Sequence, residues 1–320
     1  MHKEIDRRTL VGGMIVAGAA AAIPRDVYGQ TQVPNSSGTD KPSLKAPLNA
    51  CDCHHHIYDG VRYPPGNPQS RMQSNASVAQ YRLLQRRIGT ARNVIVTPAP
   101  YVTDNRVTLD AIAQIGPDAR GVAVVRPNVT DAELRTLDDA GIRGIRFTQA
   151  DPVTAVTTLD MIEPLSKRVA VFGWHVQIHM LSDQIVAAEA LWNRLPAPIV
   201  FDHMGRMRPE LGAKDPGFAV IRRLIDKGHT WVKLSGAYLN TGLGPPRYAD
   251  ATALAQAYAK AAPERMVWGS DWPHPTEAAD KKPNDAVLFD LLSAWVPDET
   301  VRHRILVENP ETLYAFPRAG

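Results

Sequence analysis

From residue 48 onward, short apolar runs alternate with longer amphipathic stretches. The runs at 48–56, 93–97, 121–125, 144–147, 174–179, 199–202, 230–234 and 266–268 are too short for buried helices and read as strands. Between them, 78–88, 131–140, 183–194, 216–227 and 250–262 repeat their apolar positions at helical spacing. Ser77, Thr130 and Ser182 stand where N-caps belong, just ahead of three of these helices. Eight strands alternating with helices predict an α/β fold, a parallel (β/α)8 barrel closed by 298–308 and the tail 309–316. The alternative is an open doubly wound sheet, which would carry a Gly-rich phosphate turn after its first strand. Ile57-Tyr58-Asp59 occupies that place and is no such turn.

A barrel gathers its chemistry where its strands end. In Asp52-Cys53-His54-His55-His56, strand alternation puts Asp52, His54 and His56 on one face and His55 on the other. Cys51 and Cys53 are then expected to pack opposite His54 and His56, at a spacing unsuited to a relaxed disulfide. The fourth strand carries Arg146, and the fifth aligns His175, Gln177 and His179. His175, deepest in its strand, is expected to be a core residue. The sixth strand runs into Asp202-His203-Met204-Gly205-Arg206, and the eighth into Gly269-Ser270-Asp271-Trp272-Pro273-His274. Lys233 fits two orientations, one snorkelling to solvent and one facing inward. Arg146 and Arg206 either bind a substrate anion or pair with an acid such as Asp202.

The net charge of +3 and the lack of a long basic run give no reason to expect a nucleic-acid partner. Ahead of the barrel, Arg7-Arg8 precedes a short, weakly apolar, Ala- and Gly-rich stretch at 10–23. That stretch falls short of the roughly 20 apolar residues of a membrane span and reads as a Tat-type export signal, residues 1–29. A Ser-, Thr-, Pro- and Gly-rich segment, 30–46, is expected to be a linker to the barrel domain, 47–320. The expectation is a periplasmic protein that meets the Tat translocon during export and no membrane after cleavage.

Taken together, Asp52-x-His54-x-His56, Phe201-Asp202-His203-Met204-Gly205-Arg206, Val267-Trp268-Gly269-Ser270-Asp271-Trp272-Pro273-His274 and Val307-Glu308-Asn309-Pro310 resemble the amidohydrolase superfamily. The resemblance runs over residues 48–316. It is strongest to amidohydrolase family 2, the branch of 2-pyrone-4,6-dicarboxylate lactonases and galactarolactone isomerase. It implies a distorted (β/α)8 barrel and hydrolysis of a lactone or related bond, with a small carboxylated lactone as substrate. Carried onto this chain, Asp271 handles the proton, while His54, His56 and His203 polarise the carbonyl directly or through a metal. Arg146 and Arg206 hold substrate carboxylates bidentately. The strand-four lysine that bridges binuclear sites in the superfamily is absent. The pyrone-dicarboxylate lactonases look metal-independent and carry a residue other than His where His179 stands. His179 therefore points to one divalent metal, zinc, on His54, His56, His179 and Asp271, with metal-independent catalysis as the alternative. Three other functions stand beside this one: a decarboxylase using the same His54-x-His56, His179 and Asp271 with a metal, a lactone isomerase, and a non-catalytic periplasmic binding protein that would keep the arginines and not need Asp271.

Overall fold

Eight strands hydrogen-bond in chain order, each parallel to the next, in a computed structural model that describes residues 32–318 other than 68 and 152–154. They are β1 Cys51–His55, β2 Arg92–Val96, β3 Ala119–Ala123, β4 Ile142–Thr148, β5 His175–His179, β6 Ile199–Phe201, β7 Thr230–Leu234 and β8 Met266–Trp268. The helices α1 Val78–Ile88, α2 Arg106–Ile115, α3 Asp131–Asp139, α4 Leu159–Ala170, α5 Ser182–Ala187, α6 Glu189–Trp192, α7 Pro216–Asp226 and α8 Ala249–Ala261 cross between them. After β8 come α9 Asp285–Trp295, α10 Glu299–His303 and α11 Asn309–Tyr314. The result is the expected (β/α)8 barrel. The expected signal segment lies outside the described residues. No helix among the described residues is long and apolar enough to cross a membrane.

The strands are short because each is buried on both faces and needs only about five residues to span the sheet. Outward-facing Ile95, Phe147, Ile178, Phe201 and Trp268 pack into the main core. A second apolar cluster of Cys51, Cys53, Val94, Val96, Val122, Val200 and Val267 is closed by Tyr314 of α11. His175 joins it edge-on to Tyr314, with ring centroids 5.4 Å apart and both ring nitrogens without a hydrogen-bond partner. It is the core histidine the sequence suggested.

Two local expectations are corrected. The helix expected at 183–194 breaks at Ala188 into α5 and α6. Ser182 does not cap it: its hydroxyl donates to Asp215, the N-cap of α7. Thr130 behaves as expected, accepting from the Glu133 amide in a capping box.

Strand β1 departs from strict alternation, because its register against β2 shifts between Asp52 and His55. Cys51 and Cys53 consequently pack inside the barrel, and His54 also turns inward. The expectation that the cysteines lie opposite His54 and His56 is therefore corrected. Asp52 leaves the histidine face too: it reaches Tyr81 of α1, against whose ring His55 stacks at 3.5 Å.

Closure of the barrel joins β1 to the residues after β8. Asp271 N–H donates to His54 O at 2.8 Å, and His56 N–H to Trp272 O at 2.8 Å. Gly269 makes this approach possible, since a Cβ there would sit 2.6 Å from His54 Cβ.

The segment expected as a linker is fastened to the barrel from residue 32. Val33 is buried, Trp272 Nε1–H donates to Pro34 O at 2.7 Å, and Arg87 donates to Ser36 Oγ, Ser37 O and Asp40 O. Asp290 accepts from the amides of Ser43 and Leu44.

Candidate active site

At the strand C-termini lies a cavity of about 280 Å³ whose wall includes His56, Tyr58, Arg146, His179, His203 and Asp271. The segments after β6 and β8 deliver their groups through local distortions. His203, Met204, Gly205 and Arg206 all take positive φ after β6, and Asp271 has φ of 62° after β8. Such backbone costs of order 1–3 kcal/mol per non-Gly residue and persists where surrounding contacts over-determine it. Asp52 supplies those contacts for Asp271: its carboxylate accepts the Ser270 N–H at 2.8 Å, the Ser270 O–H at 2.6 Å and the Tyr81 O–H at 3.0 Å. Burial pushes the Asp52 carboxyl up to about 6, although the Ser270 bonds oppose the shift.

Asp271 is the convergence point. Its Oδ1 lies 3.5 Å from His54 Nε2, 3.5 Å from His56 Nε2 and 3.8 Å from His203 Nε2, and has no hydrogen-bond donor. Its Oδ2 accepts from the Tyr238 O–H at 2.5 Å. Burial raises the Asp271 pKa, but the His203, His56 and His54 rings outweigh it and hold the carboxyl well below the ordinary range. Burial pushes the histidines the other way: His54 and His179 fall well below their usual value, and His203 falls to about 4. Burial thus disfavours charge on His54, His179 and His203, while the surrounding cluster favours the ionised form of Asp271.

The partners behind each ring bear on its tautomer. His56 Nδ1 lies 2.8 Å from the Val96 carbonyl, so it carries the proton and its Nε2 lone pair faces the cavity. His203 Nδ1 pairs with Ser235 Oγ at 2.9 Å. His54 Nδ1 stands 3.3 Å from both Asp202 Oδ1 and Lys233 Nζ, an acid and an ammonium that favour opposite tautomers of its ring. With Nδ1 turned to the Val96 carbonyl, His56 Nε2 faces Asp271 Oδ1 at 3.5 Å. His54, His56 and Asp271 form a buried group whose ligand atoms lie within 4.8 Å of one another, able to hold a metal ion. His54, Asp202 and His203 form a second such group. His179, expected as a fourth ligand, falls in neither: its Nε2 is 3.4 Å from Arg206 Nη1 and its ring packs on His203.

Below this layer is a buried charge cluster. Lys233 faces inward and donates to Cys53 O and to Gln177 Oε1, at 2.9 and 2.7 Å, which settles its orientation. Asp202 Oδ2 accepts from Arg146 Nε at 2.9 Å and from Gln177 Nε2 at 3.0 Å. Arg146 therefore both lines the cavity and pairs with Asp202. Arg206 meets a ring nitrogen at His179, a contact that supplies no anion. Among the groups sequence reading passed over are Tyr238, Tyr58 and Arg71. Tyr238 sits in the loop after β7, where the barrel rule alone would have drawn attention to it.

This arrangement agrees with comparisons against known proteins. The amidohydrolase family model matches residues 51–316, and the chain belongs to that family. It is 33% identical over 283 residues to a 2-pyrone-4,6-dicarboxylate hydrolase of Comamonas testosteroni, covering 86% of this chain and 92% of that protein. It is 32% identical over 278 residues to a 4-sulfomuconolactone hydrolase of Rhizobium radiobacter, covering 85% and 92%. A D-galactarolactone isomerase of Agrobacterium fabrum is 31% identical over 280 residues, covering 87% and 94%. The chain is an enzyme of the amidohydrolase class.

Removing the Asp52 carboxylate takes the acceptor from four buried donors, the Ser270 N–H and O–H, the Tyr81 O–H and the His54 N–H, and each costs about 1–3 kcal/mol when left unpaired. Asp52→Ala should lower the unfolding free energy by at least about 3 kcal/mol in a denaturant titration. A change under about 0.5 kcal/mol, the size seen at unremarkable surface sites, would remove Asp52 from this role.

Proposed function

We propose that this enzyme opens a carboxylated lactone by hydrolysis, with Asp271 as the proton-handling group. The observation that carries the reading is Asp271 Oδ1: buried, without a donor, and ringed by three imidazoles at the edge of the cavity. The relatives' names support the substrate class, since two of them denote hydrolases of lactones that bear acid groups.

In this mechanism the lactone carbonyl lies over the His54, His56 and His203 face. Asp271 removes a proton from a water as the water oxygen bonds to the carbonyl carbon. The ring C–O bond then breaks, and Asp271 returns its proton to the leaving oxygen. Water has been added across the ester, giving a hydroxy acid. An ionised Asp271 is what the first step requires, and its lowered pKa provides that at neutral pH. His203, neutral and anchored by Ser235, lies on the side where carbonyl charge develops. His54, His56 and Asp271 would hold a divalent metal, zinc by the chemistry of their nitrogen and oxygen donors, and such an ion supplies positive charge for the carbonyl oxygen.

The arginines select the substrate. Arg146 spends one guanidinium edge on Asp202, and Arg206 has its charge partly buried beside His179. A substrate carboxylate supplies the anion that Arg206 lacks in these contacts. Export to the periplasm rests on Arg7-Arg8 and the stretch that follows. Cell fractionation of the full chain and of an Arg7→Lys, Arg8→Lys variant tests it, with the variant expected to stay in the cytoplasm.

A panel of carboxylated lactones, assayed with and without chelator, tests the activity. Asp271→Asn should lower kcat by at least about 100-fold with folding intact. Chelation should abolish turnover and zinc restore it; full activity in metal-free protein would favour polarisation by the histidines alone.

Substrate charge gives a separate check. Losing a charge-assisted hydrogen bond costs about 1.5–3 kcal/mol, so a methyl ester should lose roughly 10- to 150-fold in kcat/KM against the free acid. Arg206→Met should erase that preference. Equal rates for acid and ester on the wild type would rule out carboxylate recognition.

A further inference from the structure

Behind Asp271 runs a chain of polar groups to which the hydrolysis gives no part. Tyr238 donates its O–H to Asp271 Oδ2, and His274 Nδ1 lies 3.2 Å from the Tyr238 oxygen. His274 Nε2 lies 3.2 Å from Asp285 Oδ2, and the His274 ring stands edge-on to the Tyr238 ring, with centroids 5.2 Å apart. His274 and Asp285 are fully buried, so water does not compete for these contacts. Asp285 opens α9, and its amide donates to Ser36 Oγ at 3.2 Å. Arg87 grips the same hydroxyl at 3.1 Å and Asn284 Oδ1 at 2.8 Å. The far end of the chain is therefore anchored by the segment at 32–40, the stretch whose composition reads as a linker.

An aspartate carboxylate rotates about its last torsion in a broad, roughly two-fold well, so rotamer preference alone does not decide the plane in which its two equivalent oxygens lie. Asp271 needs that plane fixed, because one oxygen, Oδ1, reaches the three Nε2 atoms. We propose that Tyr238 and His274 are positioning residues that pin Oδ2 and so aim Oδ1 into the site, with Asp285 and the 32–40 segment as their anchor. The proposal rests on the reading of Asp271 as the proton-handling group. Misplacement of a reacting group by about 1 Å can cost on the order of 100-fold in rate, so a lost tether should appear in kcat.

The test uses the intact enzyme with Tyr238→Phe, which keeps the ring and removes only the hydroxyl, and with His274→Phe as a second variant. Each is examined by crystallography and by kinetics on whichever lactone the wild type turns over. In Tyr238→Phe the Asp271 carboxylate should turn away from His54 and His56, and kcat should fall roughly 10- to 100-fold while KM stays within about threefold. His274→Phe should fall in the same direction by less. A carboxylate that stays in place, or a kcat within about threefold of wild type in Tyr238→Phe, overturns the proposal. Wild-type kcat in His274→Phe removes His274 from it. Should the wild type turn over no lactone, the hydrolase reading fails, and positioning is then judged on the carboxylate orientation in the variant crystals alone.

Discussion

The contact on which the site depends is the clamp of Asp52 on Ser270. A (β/α)8 barrel has one seam between its last and first strands, and here the functional groups sit on both sides of it. His54 and His56 come from β1, and Asp271 comes from the turn after β8, more than two hundred residues later in the chain. Asp52 takes the backbone N–H and the hydroxyl of Ser270, and Gly269 lets the two segments approach without a side chain between them. The seam is thus where His54 and His56 are brought to Asp271. A loss of tenths of an ångström there would separate the histidines from their carboxylate without unfolding any strand.

Holding charge in the barrel is costly, and the arrangement below the site meets the cost with pairing rather than solvent. Lys233, Asp202, Arg146 and Gln177 are linked by hydrogen bonds and ion pairs in a buried layer beneath the histidines. A buried ion pair of this kind seldom adds net stability, and breaking one side of it is severe. Its benefit lies in function: Asp202 and Lys233 flank His54 Nδ1 and so bear on which ring nitrogen faces the cavity. The apolar floor closed by Tyr314 keeps water from that layer from below.

Much of the fold was legible because the signals are local. Eight short apolar runs are strands whatever surrounds them, and a histidine pair at i and i+2 before a barrel's mouth is visible in three letters. Tertiary effects were not legible. The register shift in β1 turns Cys53 and His54 inward together, and no alternation rule anticipates one inserted residue. Residues 32–46 have the composition of a linker, yet Arg87, Trp272 and Asp290 supply partners that composition does not reveal. Ser182 looks like an N-cap and instead serves Asp215, one helix further on. Pairing with Asp202 was open to both Arg146 and Arg206 on sequence grounds, and only the sixth strand folding beside β4 assigns it to Arg146. Tyr238 carried no motif at all.

Hydrolysis by Asp271 puts a water oxygen onto the lactone carbonyl carbon. Turnover of a carboxylated lactone in oxygen-18-labelled water, with the product read by mass spectrometry, shows where that oxygen goes. One labelled oxygen per turnover is expected, placed in the newly formed carboxylate. Label in the product alcohol, or product isomeric with the substrate and carrying no label, would overturn the hydrolytic role of Asp271.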